Sequence, residues 1–335
     1  MKKSRVKPEA VVQALKAGGV VMPLLGGYCV LGLEPEEIKK RLGAVYRLVT
    51  DRAGGVVPSA EIEEVLKLPV VAITSDGTGW AKTFDPLAQK VLNQAGRSLW
   101  FGLPEEGQEL SGLIEELDGW LKLVVVEAEG RGLGKENSQA QTIGQSGFGP
   151  AVIDFGNEPA TILRKGGLGI MRLERLLRKR VRLGPGVFFS VLVVCTGNSC
   201  RSPIAAGLLS AQVKGMPVLV SSAGIAAPVG RLATGFAIAV AQEMGVDITS
   251  HRSRQINQEM VTQADLILVM EEGHRKWILE MAPEADAKIR LLGGYPDREE
   301  EIPDPIGRSI EFYRQSALLI KAGVLKVVAE IKERV

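Results

Sequence analysis

The sequence predicts an α/β protein of two domains, and three observations carry that expectation. The chain has 335 residues, more than one hydrophobic core usually serves. In both halves, short runs rich in β-branched residues alternate with stretches of helical spacing, the pattern of parallel α/β units. Between the halves, "ERLLRKRVRLGPGVFFSVLVV" passes from a basic helical run through Gly184, Pro185 and Gly186 into a new apolar run. The boundary is placed at about residue 185, giving domains of residues 1–185 and 186–335.

In the first half, "GGVVMPLL", "LPVVAI", "RSLWFGL" and "KLVVVEA" are the strand candidates. The Gly-Gly pairs at 18–19, 26–27 and 54–55 read as tight turns, since none is followed by a lysine or serine in the register of a phosphate loop. Cys29, in an apolar stretch, reads as a core thiol. Leu173, Leu176, Leu177 and Val181 follow helical spacing, and the intervening arginines form the solvated face of a connecting helix. In the second half, "VFFSVLVV", "MPVLVSS", "ADLILVM" and "AKIRLL" read as strands. Helical segments follow from Pro203, around Leu232 to Met244, from Glu271, and from Ser309 onward. The expectation there is a doubly wound, four-stranded parallel sheet with helices on both faces.

Composition narrows the function classes. A chain that is 45% apolar and 24% charged has the make-up of an ordinary globular protein. Its formal net charge of +2 supplies no field for nucleic acid. Three cysteines are too few for a secreted disulfide framework and point to a reducing cytoplasm. Glu9 and Lys16 interrupt any signal-peptide core, and no apolar run is long enough to span a bilayer. The expected setting is therefore cytoplasmic, with no membrane or nucleic-acid partner. His251 is read as packing a turn and His274 as solvated on a charged helix, so no metal site is expected.

The chemistry concentrates in "VVCTGNSCRSP", Val193 to Pro203. In an open α/β sheet, ligands gather beyond the carboxyl ends of strands, where helix N-termini point. Gly197 can adopt a positive φ, and Asn198 tolerates one better than most residues. Successive N–H groups in such a turn, from Thr196 through Ser199, can cradle an anion. Pro203 suits the first turn of the following helix, and Arg201 supplies a fork matched to two phosphoryl oxygens. Cys195 lies at the base of this electropositive cup, where an anionic sulfur is favoured. A cysteine so placed is a nucleophile for a phosphoenzyme. Asp304, between the two prolines of "EIPDPIGRS", is the candidate acid for the leaving group and base for water.

Residues from about 187 to 335 resemble the low-molecular-weight protein phosphatases. The marks are "VVCTGNSCRSP", "SSAGIAA", "GVDITSHRSRQI", "ADLILVMEEGHRKWI" and "IPDPIG". The resemblance implies that Cys195 is the nucleophile, Arg201 the phosphate clamp and Asp304 the general acid. It implies that Asn198 holds the loop's shape, that Ser202 donates to Cys195, and that Cys200 forms a reversible disulfide with Cys195. It implies a phosphorylated protein as substrate and no cofactor. The core "CTGNSCRS" is also that of thioredoxin-coupled arsenate reductases, but "LVMEEGHRKWILEMAPEADAK" carries none of the cysteines that their relay needs. Tyrosine-directed phosphatases resemble one another in a bulky aliphatic residue before the second loop cysteine and in aromatics after the Asp-Pro pair. Here those places hold Ser199 and Ile306, and a small polar residue resembles the bacterial protein-arginine phosphatases. Phosphoarginine is therefore expected over phosphotyrosine.

Residues 5 to 170 resemble the YrdC-like family, the threonylcarbamoyl-AMP synthases, through "ALKAGGVVMPLLGGYCVLGL" and "GPAVIDFGNEPATILRKGG". Where that family has Pro-Thr-x-Thr-x-Tyr-Gly, this chain has Pro23-Leu24-Leu25-Gly26-Gly27-Tyr28-Cys29. Val49 and Asp51 stand at its Lys-x-Arg pair, and its Ser-Ala-Asn signature has no counterpart near "VVVEAEGRG". The expectation is a degenerate, non-catalytic domain of twisted α/β form. A phosphoprotein-binding module and a bifunctional tRNA-modifying enzyme are the alternatives.

Overall fold

The computed structural model describes residues 8–24, 27–32, 34–42, 46–49, 70–73, 79–82, 99–103, 121–124, 151–166, 169–296 and 300–335. Asp51, the glycines at 26 and 54–55, and "VVVEAEGRG" beyond Val124 lie outside them. The chain divides into two compact units, Met1–Leu168 and Gly169–Val335.

In the first unit, helix α1 (Pro8–Ala17) is followed by β1 (Gly19–Leu24), β2 (Gly27–Gly32), α2 (Pro35–Leu42) and β3 (Tyr46–Val49). Strands β4 (Val70–Ile73), β5 (Gly79–Lys82), β6 (Leu99–Gly102), β7 (Leu121–Val124), β8 (Ala151–Asp154) and β9 (Thr161–Arg164) follow among the described residues. The four strand candidates fall on β1, β4, β6 and β7. The sheet is mixed, which corrects the expectation of parallel units in this half. Strand β1 runs antiparallel to β2, β6 antiparallel to both β2 and β3, and β8 antiparallel to β9. Parallel pairs join β1 to β7, β3 to β5 and β4 to β8. The reason is connection length. Only Leu25 and Gly26 stand between the paired Leu24 and Gly27, whereas a parallel return needs a dozen or more residues. Val11, Leu15, Ile38, Leu48, Val71, Phe101 and Ile153 are buried in this unit.

The second unit opens with α3 (Ile170–Leu177), the helix read from sequence as a connector of the first domain. A buried carboxylate ties it to the sheet that follows. Asp265 accepts from the Ile170 N–H at 3.1 Å and from the Ser190 N–H at 2.9 Å. After the short β10 (Arg182–Leu183) come β11 (Phe189–Cys195), α4 (Arg201–Gln212), β12 (Val218–Gly224) and α5 (Gly235–Glu243). Then follow α6 (Gln258–Gln263), β13 (Leu266–Val269), α7 (Glu272–Met281), a 3₁₀ turn (Pro283–Lys288), β14 (Ile289–Leu291) and α8 (Ile310–Lys332).

The four strands form one sheet in the order β12-β11-β13-β14, with every pair parallel. Val191 to Val194 are all buried, as a central strand covered on both faces requires. From β11 the chain turns to one side for β12 and to the other for β13. The carboxyl end of β11 is therefore the switch point at which such sheets open a crevice. Cys195 is its last residue. A core of Leu192, Val194, Ile256, Val261, Ile267, Val269, Ile278 and Ile289 supports one face of the sheet.

Candidate active site

The loop from Thr196 to Cys200 joins β11 to α4. Its one left-handed residue is Asn198, at φ 50°, rather than Gly197. A short amide side chain tolerates that conformation because it can bond locally. Asn198 Nδ2 donates to Ser202 Oγ at 2.8 Å and Ser222 Oγ at 3.0 Å, while its Oδ1 accepts from the Arg254 N–H at 2.9 Å. Its carbonyl lies 2.7 Å from His251 Nε2, so His251 packs the back of the loop and donates to it. Burial pushes the His251 pKa down, against the raising effect of that bond, so the ring is neutral near pH 7. Backbone from β12 closes the underside. A Cβ on Gly224 would stand 2.5 Å from the Thr196 carbonyl oxygen and 2.8 Å from the Asn198 nitrogen, so only glycine fits there.

Cys195 is buried, with Sγ 2.9 Å from Ser202 Oγ. Arg201, the first residue of α4, is 1% exposed. Its Nη2 donates to Asp304 Oδ2 at 2.6 Å, and its Nη1 donates to the Ile302 carbonyl at 2.9 Å and to Glu271 Oε1. Arg201 Nε is buried with no hydrogen-bond acceptor, leaving one donor of the fork for an anion's oxygen. Asp304 arrives on the loop before α8, about a third exposed. Ser316 Oγ, donating to the Pro303 carbonyl at 3.0 Å, and the Ile302 N–H, donating to the Met270 carbonyl at 2.8 Å, hold that loop.

Cys200 is buried beside Tyr313 Oη and Thr234 Oγ1, each 3.4 Å from its Sγ, and 3.6 Å from Ser199 Oγ. Burial, with the Cys200 contact next, pushes Tyr313 up to about 12. Ser199 is half-buried, and its carbonyl accepts from the Thr234 N–H at 2.9 Å. Phe236 lies edge-on to Tyr313 with ring centroids 5.6 Å apart, and both Phe236 and Ile306 are exposed.

All nine residues singled out from the sequence (Cys195 to Ser202, with Asp304) are thus gathered on one loop and the segment that meets it. Two neighbours join them, Glu271 and His274. The sequence reading expects His274 to be solvated, whereas it is 2% exposed and 3.0 Å from Thr196 Oγ1. Glu271 and His274 stand at the first and fourth places of a capping box that starts α7, with Glu and His where Ser or Thr and Glu or Gln are the usual sequence signal. The charged residues around His274 concealed it.

With Asp304 held on Arg201, substituting it by asparagine keeps the shape but leaves no carboxyl group to carry a proton. Asp304→Asn is expected to lower kcat on substrates with poorly acidic leaving groups by about 10²–10⁴, and far less on activated aryl phosphates. A leaving-group series measured on both proteins checks this, and equal losses across the series would overturn it.

The sequence pattern described as "Low molecular weight phosphotyrosine protein phosphatase" matches residues 190–335. The low molecular weight protein-tyrosine-phosphatase Wzb of Escherichia coli is 44% identical over 127 residues, 38% of this chain and 84% of that protein. The phosphatase Etp of the same organism is 43% identical over 122 residues, 36% of this chain and 80% of that protein. Among solved structures, the YwlE arginine phosphatase from Geobacillus stearothermophilus is 36% identical, covering 43% of this chain and 94% of that one, with a TM-score of 0.41. Through residues 190–335, and through identity to relatives covered over most of their length, the chain belongs to the low molecular weight phosphotyrosine protein phosphatase family, hydrolases of phosphorylated protein residues.

Proposed function

We propose that the chain hydrolyses phosphorylated protein side chains through a cysteinyl phosphate, with phosphoarginine favoured over phosphotyrosine. One observation carries the reaction: Cys195 Sγ lies at the base of a loop whose arginine, buried with one free donor, also holds Asp304 at 2.6 Å. Cys195 Sγ attacks phosphorus and forms the S–P bond as the bond to the leaving nitrogen or oxygen breaks. Asp304 gives that atom its proton. Water then attacks the cysteinyl phosphate and passes a proton to Asp304, and the S–P bond breaks to release inorganic phosphate. Arg201 and the loop N–H groups balance charge on the equatorial oxygens throughout.

The preference for phosphoarginine is supported by Ser199. A half-buried hydroxyl there can accept from a guanidinium, where an aliphatic wall would leave those donors unpaired. The phosphotyrosine reading draws on Phe236, an exposed ring available to stack a phenyl group, and on the names of the Escherichia coli relatives. Phosphate release by the purified full chain from matched phosphoarginine and phosphotyrosine peptides separates them. The expected result is a higher kcat/KM on phosphoarginine, shifted toward phosphotyrosine by Ser199→Ile. Equal or better turnover of phosphotyrosine, unchanged by Ser199→Ile, would overturn the preference. Binding of phosphoprotein without release would instead favour the binding-module reading.

For residues 1–185 we propose a non-catalytic relative of the YrdC-like enzymes, a reading supported by the altered Pro23–Cys29 stretch. Threonylcarbamoyl-adenylate formed by the full chain from ATP, bicarbonate and threonine would overturn it. Among the described residues, no helix is long and apolar enough to cross a membrane.

A further inference from the structure

We propose that His274 is a positioning residue whose uncharged ring links the phosphate loop at Thr196 to the backbone of Glu271, the residue that holds Arg201. This rests on the reading of the site as a cysteine-based phosphatase.

The hydrogen bonds assign the tautomer. His274 Nδ1 is 3.2 Å from the Glu271 backbone nitrogen, which can only donate. Nδ1 is therefore bare, and the ring proton of the neutral form sits on Nε2, 3.0 Å from Thr196 Oγ1, which accepts it. One rigid ring thus spans two elements. At one end is the residue after Cys195, and at the other is the N-cap of α7, whose carboxylate accepts from Arg201 Nη1. A second proton, on Nδ1, would set two N–H groups against each other and open the link at Glu271.

The charged groups around the ring come from three elements. Glu271 is at the start of its own helix, Arg201 begins α4, and Glu301 and Asp304 lie on the loop before α8. Burial dominates and holds the His274 pKa below 6.5, with Arg201 adding to the lowering and Glu271, Asp304 and Glu301 opposing it. The ring is neutral at pH 7 and intact in its link. It takes up its second proton only as pH falls through the lowered value, so the positioning is lost on the acid side.

A purely structural capping role would be met by any side chain that accepts from the Glu271 N–H. Glutamine at this helical position can also offer an N–H to Thr196, but it does not titrate. The test uses the full chain as wild type, His274→Gln and His274→Ala, with kcat and KM for an aryl phosphate measured from about pH 4.5 to 7.5. Folding is checked by thermal unfolding. His274→Ala is expected to lose kcat on the order of tenfold to a hundredfold at neutral pH through misplacement of the loop. His274→Gln is expected to recover much of that loss and to lack one ionisation present in the wild-type acid limb. A folded His274→Ala protein with wild-type kcat and KM would overturn the proposal, as would an acid limb shared by wild type and His274→Gln.

Nitrogen NMR of the imidazole gives an answer independent of turnover. A neutral ring protonated on Nε2 at neutral pH is expected, and an imidazolium or the Nδ1–H form would overturn the link. Wild type inactive on aryl phosphate, with the expected tautomer, would sink the phosphatase reading and leave the link standing. An active wild type with the wrong ring state would do the reverse.

Discussion

Replacing Cys195 with serine is expected to abolish phosphate release, a loss on the order of 10⁴–10⁶ in kcat by analogy with other nucleophile knockouts. The size follows from covalent catalysis. A serine hydroxyl in the same place is a far weaker nucleophile than a cysteine sulfur, and the hydrogen-bond partner at that position, Ser202 Oγ, is a hydroxyl and not a base. Ser202 Oγ, the partner 2.9 Å away, is itself bonded by Asn198 Nδ2 and belongs to the loop's frame. The anion cradle does not depend on the sulfur, so Cys195→Ser should still bind inorganic phosphate, measurable by calorimetry. Release of phosphate from an aryl phosphate, followed over several hours, gives the rate. Activity within tenfold of wild type would place the nucleophile elsewhere, and loss of phosphate binding as well would show that the cradle had collapsed.

The second large effect concerns stability and lies far from the loop. Glu174 on α3 and Arg334 beyond the end of α8 form a two-pronged pair, Nη2 to Oε2 at 2.7 Å and Nε to Oε1 at 2.9 Å. Both are buried, with Arg334 at 1% exposure and Glu174 at 6%. The Val181 N–H also donates to Glu174 at 3.2 Å, and the Arg334 guanidinium lies 4.9 Å from the centre of the Phe189 ring. Removing one partner strands the other charge without water. Glu174→Ala is therefore expected to destabilise the second unit by about 3–5 kcal/mol. Glu330, which bonds Arg334 Nη2 at 2.8 Å, offsets part of the stranded charge and places the loss toward the lower end. Replacing both Glu174 and Arg334 with apolar residues of similar volume is expected to cost much less than either single change. Hydrogen exchange of the β11 amides in the full chain reads the opening free energy of this unit. A loss below about 1 kcal/mol in Glu174→Ala would show the pair to be a surface-like contact.

How legible each part was in the sequence depended on how local its cause is. The four strands of the second unit were readable because each is an apolar run bounded by turn residues, and a central parallel strand needs nothing more. The first unit misled because its short runs look alike whether they pair parallel or antiparallel. Spacing between paired strands decides that, and Leu24 and Gly27 are too close for a crossover. At the site, the loop from Cys195 to Ser202 was legible since its residues are contiguous and their types match an anion cradle. His274 was not, because its burial depends on where α7 docks against a loop 78 residues earlier in the chain.

The sequence by itself determined the reaction chemistry on offer: a sulfur and a guanidinium in a turn that exposes backbone N–H groups, with a carboxyl group between two prolines far along the chain. Residue type and short-range spacing suffice for that, since the chemistry resides in the side chains and a tight turn is built by its own residues. The tertiary structure decided the rest. It set Asn198 as the left-handed residue and made Gly224 the closing wall. It set Asp304 and Glu271 on the two arms of one guanidinium and buried Glu174 against Arg334, 160 positions away. Those arrangements arise from packing between distant elements, where distance and desolvation set the energy and no local pattern records them.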